Sequence, residues 1–312
     1  MAVATGKGYK GLVTGRRGGR VWGPTCTPFG VVFMAGFDGL RVAKDAAPGG
    51  FLVAIGGNED KRSDKEVLRK MVDLPRGGAK HIEIVPTAST YARSLSDEYI
   101  DVFRDLGVDK VGVMDIRDRR DADRQEYVER VRAADAIYMT GGDQVRLTSV
   151  IGGSPLLEAM QERYDGGGIV AGTSAGAAAM SSTMIAGGDD GTMRKGSVRM
   201  APGLGFVKSC IIDTHFLDRG RVGRLLEVVA SNPGHVGLGV GEDTALLVRD
   251  GHLVEVVGSG IVVVVDGTTM RSTNLPAIGP DEPIAVEGIL VHTLAPGYRF
   301  DLAAKKYLEP SR

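Results

Sequence analysis

Cysteine is nearly absent: the 312 residues contain two, Cys26 and Cys210. They form neither a disulfide framework nor a Cys-x-x-Cys metal pair, which excludes the small stapled scaffolds of secreted domains. A reducing, cytoplasmic setting is therefore expected. No apolar run approaches the ~20 residues needed to span a bilayer, so no membrane partner is expected. An excess of one charge is also missing. Lys and Arg total 38 against 39 Asp and Glu, a net charge of −1, which leaves no global electrostatic argument for nucleic acid. Acidic residues are wanting altogether before Asp38, where Lys7, Lys10, Arg16, Arg17 and Arg20 stand among glycines. That stretch lacks the apolar core and small-residue cleavage site of a signal peptide. Residues 1–48 are expected to be a poorly ordered basic extension. Residues 49–312 are expected to form one α/β domain, with hydrophobic content of 43 % to build its core.

Glycine, by contrast, is abundant, at 46 of 312 residues. Five positions concentrate its meaning: Gly172-Thr173-Ser174-Ala175-Gly176 is a G-x-S-x-G elbow. The β-branched pair Ile169-Val170 enters it, and the Ala-rich stretch Ala175 to Met180 leaves it. A strand, a tight turn and a helix in that order hold a serine hydroxyl exposed as a nucleophile. The amide of Ala175 then points to where an oxyanion would form.

A βα rhythm runs from Phe51 onward. Strands are expected at Phe51–Ile55, His81–Val85, Lys110–Met114, Ala136–Met139, the elbow strand and Cys210–Asp213. Helices are expected at Lys61–Val72, Tyr91–Leu106, Arg120–Ala133, Val145–Ile151, Leu156–Tyr164 and Val222–Ala230. Such alternation predicts a mainly parallel sheet with helices on both faces. Past Gly237, the runs Ala245–Val248, His252–Val257 and Ile261–Val265 read as antiparallel strands. Ile289–Leu294 reads as one more strand, followed by a helical end at Leu302–Leu308. Ligands bind beyond the carboxyl ends of parallel strands. Three such ends carry small or polar turns: residues 56–60, residues 141–144 and the elbow.

A serine nucleophile needs a base, normally a histidine held by a carboxylate. Of five histidines, His215 follows a buried-looking strand at the end where the site belongs. Glu242, in Gly-Glu-Asp, fits the carboxylate, with Asp243 and Asp213 as competitors. Arg219, Arg221 and Arg224 crowd the start of a helix, where the macrodipole disfavours cations by ~0.3–1 kcal/mol each. Guanidinium forks at a helix start suit an acidic substrate.

Taken in order, these pieces resemble the cyanophycinases, in the serine-peptidase family that also contains the aspartyl dipeptidases. The matching stretches are Gly56 to Lys61, Gly141 to Leu147, Gly172 to Ala177, Asp213 to Phe216 with Arg219-Gly220-Arg221, and Gly241 to Ala245. The resemblance implies a class I glutamine amidotransferase-like (flavodoxin-like) fold, commonly a homodimer. It also implies hydrolysis of cyanophycin, a polyaspartate with arginine on each side-chain carboxylate, to β-Asp-Arg dipeptides, with no cofactor. By motif, Ser174 is the nucleophile, His215 the base and Glu242 the orienting carboxylate. Ala175 and Gly57 supply the oxyanion-hole amides, and Gln144, Asp213, Arg219, Arg221 and Arg224 bind substrate. Thr214, also at the substrate, departs from the family's glutamine; it loses reach and the amide's double donor–acceptor character. Three other readings stand beside this one. The first is an α-aspartyl dipeptidase of the same family, and the second a non-catalytic binding protein on the scaffold. The third is a metal-dependent hydrolase using Asp213, His215 and Asp218, or Asp189 and Asp190, whose spacing matches no established metal signature.

Overall fold

Strands that read as uninterrupted apolar runs are buried on both faces, and Phe51–Ile55, Ala136–Met139 and Ile169–Thr173 are such strands in the half of the molecule that carries the elbow. The computed structural model describes residues 49–74, 78–188 and 191–310; the expected basic extension and the Asp189-Asp190 pair lie outside them. In chain order the elements are β1 (Phe51–Ile55), α1 (Glu66–Asp73), β2 (His81–Val85), α2 (Ala92–Asp105), β3 (Lys110–Val113), α3 (Arg119–Ala122), α4 (Gln125–Ala133) and β4 (Ala136–Met139). Next come α5 (Gln144–Ile151), α6 (Pro155–Asp165), β5 (Ile169–Thr173), α7 (Ala175–Ala178), β6 (Thr183–Gly188), β7 (Val198–Pro202), β8 (Cys210–Asp213) and α8 (Val222–Ser231). The remainder is β9 (Val236–Val240), β10 (Thr244–Arg249), β11 (Leu253–Gly258), β12 (Val262–Asp266), β13 (Ser272–Thr273), β14 (Val286–Glu287), β15 (Leu290–Leu294), β16 (Arg299–Asp301) and β17 (Lys306–Leu308).

The main sheet has the order β17-β16-β11-β10-β1-β5-β4-β2-β3. From β1 to β3 its neighbours are parallel, and from β1 to β17 antiparallel. This is the expected α/β architecture with an antiparallel carboxyl-terminal portion. Alternate residues of β1 divide between its faces. Val53 and Ile55 meet Leu68 and Met71 of α1 and Tyr99 and Phe103 of α2. Leu52 and Ala54 join the core under α4, α5 and α6, with Val131, Leu147 and Met160.

Strand β8 departs from the expectation. It does not extend the main sheet but pairs in parallel with β9, in a second sheet of order β15-β12-β9-β8. Periodicity alone does not tell one sheet from another. One face of that sheet (Ile212, Leu238, Val264) joins the core under the main sheet, and α8 covers the other through Leu225 and Val229. Three boundaries also change. Helix α1 starts at Glu66 rather than Lys61, because the Asp60 carboxylate takes the amides of Arg62, Ser63 and Lys65 into a loop. The expected Arg120–Ala133 helix is divided into α3 and α4, the first begun by a capping box on Asp118. In place of the expected helix Leu302–Leu308 stand a turn at residues 302–305 and the strand β17. Asp301 accepts the amides of Ala303 and Ala304, Lys305 turns left-handed at φ 51°, and the chain pairs back on β16.

Candidate active site

Strands β1, β5 and β4 are parallel neighbours, so their carboxyl ends lie side by side at about 4.8 Å spacing. The elbow is the middle one. Ser174 stands there with φ 52° and ψ −109°, and its amide donates to Ile55 O at 2.9 Å. The close packing explains the motif's last glycine: a Cβ on Gly176 would lie 2.4 Å from Met139 O.

His215 reaches this point from the end of β8. Its amide donates to Gly56 O at 2.8 Å, anchoring the second sheet's loop on the first sheet's. Nε2 then lies 2.9 Å from Ser174 Oγ, and Nδ1 lies 2.6 Å from Glu242 Oε1. Gly57 is the platform beneath the imidazole. With φ 103° it has a backbone that side chains resist, and a Cβ there would lie 2.2 Å from His215 Cε1. Among the described residues, the amides of Gly57 and Ala175 donate to no backbone carbonyl.

The competing carboxylates sit elsewhere. Asp243 accepts Asp60 N at 2.8 Å and Ser259 Oγ at 2.6 Å. Asp213, 1 % exposed, is held by Arg224, whose Nε donates to Oδ2 at 2.7 Å while a terminal nitrogen meets Oδ1. Arg221 approaches the same carboxylate at 3.6 Å and donates to Thr214 O at 2.7 Å. Thus Asp213, Thr214, Arg221 and Arg224 form a buried polar floor. Paired charges tolerate such burial where an isolated one would not. Gln144 donates to Ile185 O at 2.9 Å, tying α5 to β6. These residues, with exposed Arg219, Ser174 and Ala175, line one cavity of about 220 Å³. Among the described residues, no group of three His, Cys, Asp or Glu is placed to hold a metal.

Three contributors to this arrangement were not assigned these roles from the sequence, where Asp218 stands only as a candidate metal ligand. Asn58 donates its side-chain amide to Glu242 Oε2 at 2.9 Å. Asp218 accepts the backbone amide of Glu242 at 3.2 Å. Glu59, 3 % exposed, lies under the elbow, where it accepts Thr173 Oγ1 at 2.7 Å, Tyr138 Oη at 2.9 Å and the hydroxyl of Tyr99. Burial beside this carboxylate pushes the Tyr99 and Tyr138 phenols well above their ordinary range. The signal was present in the sequence, since three consecutive polar residues follow a buried strand and two glycines.

The family model described as "Peptidase family S51" matches residues 51–256. A cyanophycinase of a Nostoc species is 40 % identical over 260 residues, covering 82 % of this chain and 87 % of that protein. A cyanophycinase of Geminocystis herdmanii is 37 % identical over 252 residues, 80 % and 93 % of the two chains. Among solved structures, a peptidase from an acI-B1 actinobacterium superposes with a TM-score of 0.60 at 21 % identity, over 82 % of this chain and 98 % of that one. That likeness concerns the fold, which is consistent with the glutamine amidotransferase-like architecture. The family match and the two relatives, each spanning most of both chains, make the chain a hydrolytic peptidase of family S51.

Proposed function

We propose that this protein is a serine exopeptidase that hydrolyses cyanophycin to β-Asp-Arg dipeptides through an acyl-enzyme on Ser174. One observation carries the reading: the continuous line Ser174 Oγ, His215, Glu242, with contacts of 2.9 and 2.6 Å, at the mouth of a cavity floored by Asp213, Arg221 and Arg224. In the proposed cycle Ser174 Oγ attacks a backbone carbonyl carbon of the polyaspartate, and its proton passes to His215 Nε2. Glu242 accepts the Nδ1–H bond and stabilises the imidazolium. The amides of Ala175 and Gly57 receive the oxyanion. Collapse of the tetrahedral intermediate breaks the C–N bond, and the imidazolium returns its proton to the leaving amine. A water molecule, deprotonated by His215, then releases the acyl group and restores Ser174.

Substrate choice follows from the cavity. Arg219 and Arg221 offer guanidinium groups to the carboxylates of the substrate, and Asp213 and Gln144 complete the polar lining. The 40 % and 37 % identical relatives carrying the name cyanophycinase support the polymer over α-aspartyl dipeptides. The same reading has a peptidase domain over residues 49–312 acting as a homodimer in the cytoplasm. Among the described residues, no helix is long and apolar enough to cross a membrane.

The test is incubation of purified protein with insoluble cyanophycin and, separately, with α-Asp dipeptides, the products identified by mass spectrometry. Release of β-Asp-Arg that vanishes in Ser174→Ala is the expected result. Cleavage confined to the α-Asp dipeptides would move the protein to the dipeptidase reading, and inertness on both to the binding-protein reading.

A further inference from the structure

A second concavity lies on the same edge of the main sheet as the catalytic cavity, over the carboxyl ends of β2 and β3 and the first turns of α2. It consists of adjoining lobes of about 300 and 400 Å³ that share Arg93, Asp97 and Arg117. In the order β5-β4-β2-β3 it is two to three strands from the elbow, about 10–14 Å at the usual spacing. The segment 86–91 touches both: Asp143 N donates to Ala88 O at 2.9 Å, beside Gly142 of the catalytic lining, and Pro86, Thr90 and Tyr91 line the groove.

Its chemistry is bipolar. Arg93 and Asp97 are one helical turn apart on α2, on one face, yet among the described residues they pair neither with each other nor with another side chain. Asp115 and Arg117 form an exposed pair, of the kind worth little in water and open to exchange. Two further groups have no occupation within the fold. Ser96 lines the smaller lobe and is buried, and its hydroxyl has no hydrogen-bond partner, although buried polar groups are almost always satisfied. Tyr91, at the head of α2, is 79 % exposed and presents an open ring of the kind on which guanidinium groups stack.

We propose that this groove is an accessory subsite for the same bipolar polymer, holding a stretch of it upstream or downstream of the bond in the catalytic cavity. The proposal rests on the function proposed above. Each repeat of that polymer carries a guanidinium and a carboxylate. Arg93 and Arg117 would take carboxylates, and Asp97, Asp115 and the Tyr91 ring would take guanidinium groups. An extended chain advances about 3.5 Å per residue, so roughly three to four residues bridge the two cavities. A fragment of two repeats held at Ser174 falls short of the groove, and the polymer does not.

The experiment compares the parent with Tyr91→Ala and with Tyr91→Ala/Arg93→Glu/Asp97→Lys, all at exposed positions. Each is assayed on insoluble cyanophycin and on a fragment of two repeats. Ser174→Ala versions are sedimented with insoluble cyanophycin, with poly-L-aspartate as competitor. The triple variant should lose at least tenfold in kcat/KM on the polymer with kcat retained, stay within twofold of the parent on the fragment, and sediment less. Poly-L-aspartate should compete poorly. Equal losses on both substrates, no loss on either, or full competition by poly-L-aspartate would each overturn the accessory subsite while leaving the proposed activity intact. A parent inert on the polymer overturns the proposed activity, and the subsite with it.

Discussion

Asn58 and Glu242 are joined by a hydrogen bond of 2.9 Å to Oε2, the oxygen that His215 does not use. The carboxylate is therefore gripped from both sides, and its rotation would release His215 as well. Asn58 itself has φ 48°, so Asn58→Gly removes the side chain without straining the backbone. Loss of a partly exposed charge-assisted bond is worth about 1–1.5 kcal/mol, or roughly five- to tenfold in kcat. Asn58→Asp, which faces one carboxylate with another, should lose more. Steady-state kinetics on the fragment of two repeats decide it, and parental kcat in both variants would remove Asn58 from the mechanism.

Ser174 occupies a backbone conformation that only glycine adopts freely, at φ 52° and ψ −109°. Ser174→Ala should lower turnover by ~10⁴ by analogy with other triads and keep the strain. Ser174→Gly should be equally inactive but more stable by on the order of 1 kcal/mol, about 2–4 °C in Tm for a domain of this size. Calorimetry on the two variants side by side makes the comparison; a Gly variant that melts below the Ala variant would contradict the strain.

Glu59 gathers three hydroxyl donors on two oxygens in a buried position. Glu59→Gln replaces one acceptor oxygen with an amide donor and sets donor against donor. The expected cost is about 2–3 kcal/mol of unfolding free energy, seen as a lower denaturant midpoint at unchanged slope. Turnover should fall too, because Thr173 adjoins Ser174. An unshifted midpoint would mean the network is dispensable.

Asp60 sets an acid-side signature. The amides of Ser63, Lys65 and Arg62 hold its carboxyl down to about 2 from the ordinary 3.8. A carboxyl lowered by folding stabilises the native state above its unfolded value, and that contribution disappears as pH falls through the folded one. Asp60→Asn should therefore melt below the parent at neutral pH. The gap should narrow from about pH 4 through about pH 2 and close below that, where both carry a neutral side chain. Melting curves across that range check it; a gap independent of pH would assign the effect to something other than charge.

Much of the site was legible in the sequence because its parts are short-range. The elbow is written in five consecutive residues, and the 141–144 and 56–60 turns end strands that periodicity locates. The polar run 58–60 marked Glu59 as unusual, but its role stayed hidden because its partners Tyr99, Tyr138 and Thr173 are 40, 79 and 114 residues away. The same holds for β8, whose apolar run is indistinguishable from a main-sheet strand although it pairs with β9. At Leu302–Leu308 local preference misled. Ala303, Ala304 and Lys306 favour helix, but the Asp301 side chain captures two amides and turns the chain back.

The antiparallel strand β10 covers the outer edge of β1 along residues 51–55, and Glu242 stands two residues before it. An uncovered β1 would be a flat, wholly apolar row of free amides and carbonyls, a template for joining chains edge to edge. A protein cut before Thr244 would keep Ser174, His215 and Glu242 in its covalent sequence. It would nonetheless be expected to form inclusion bodies rather than a diminished peptidase, so dissection of this molecule by shortening is better replaced by point substitution.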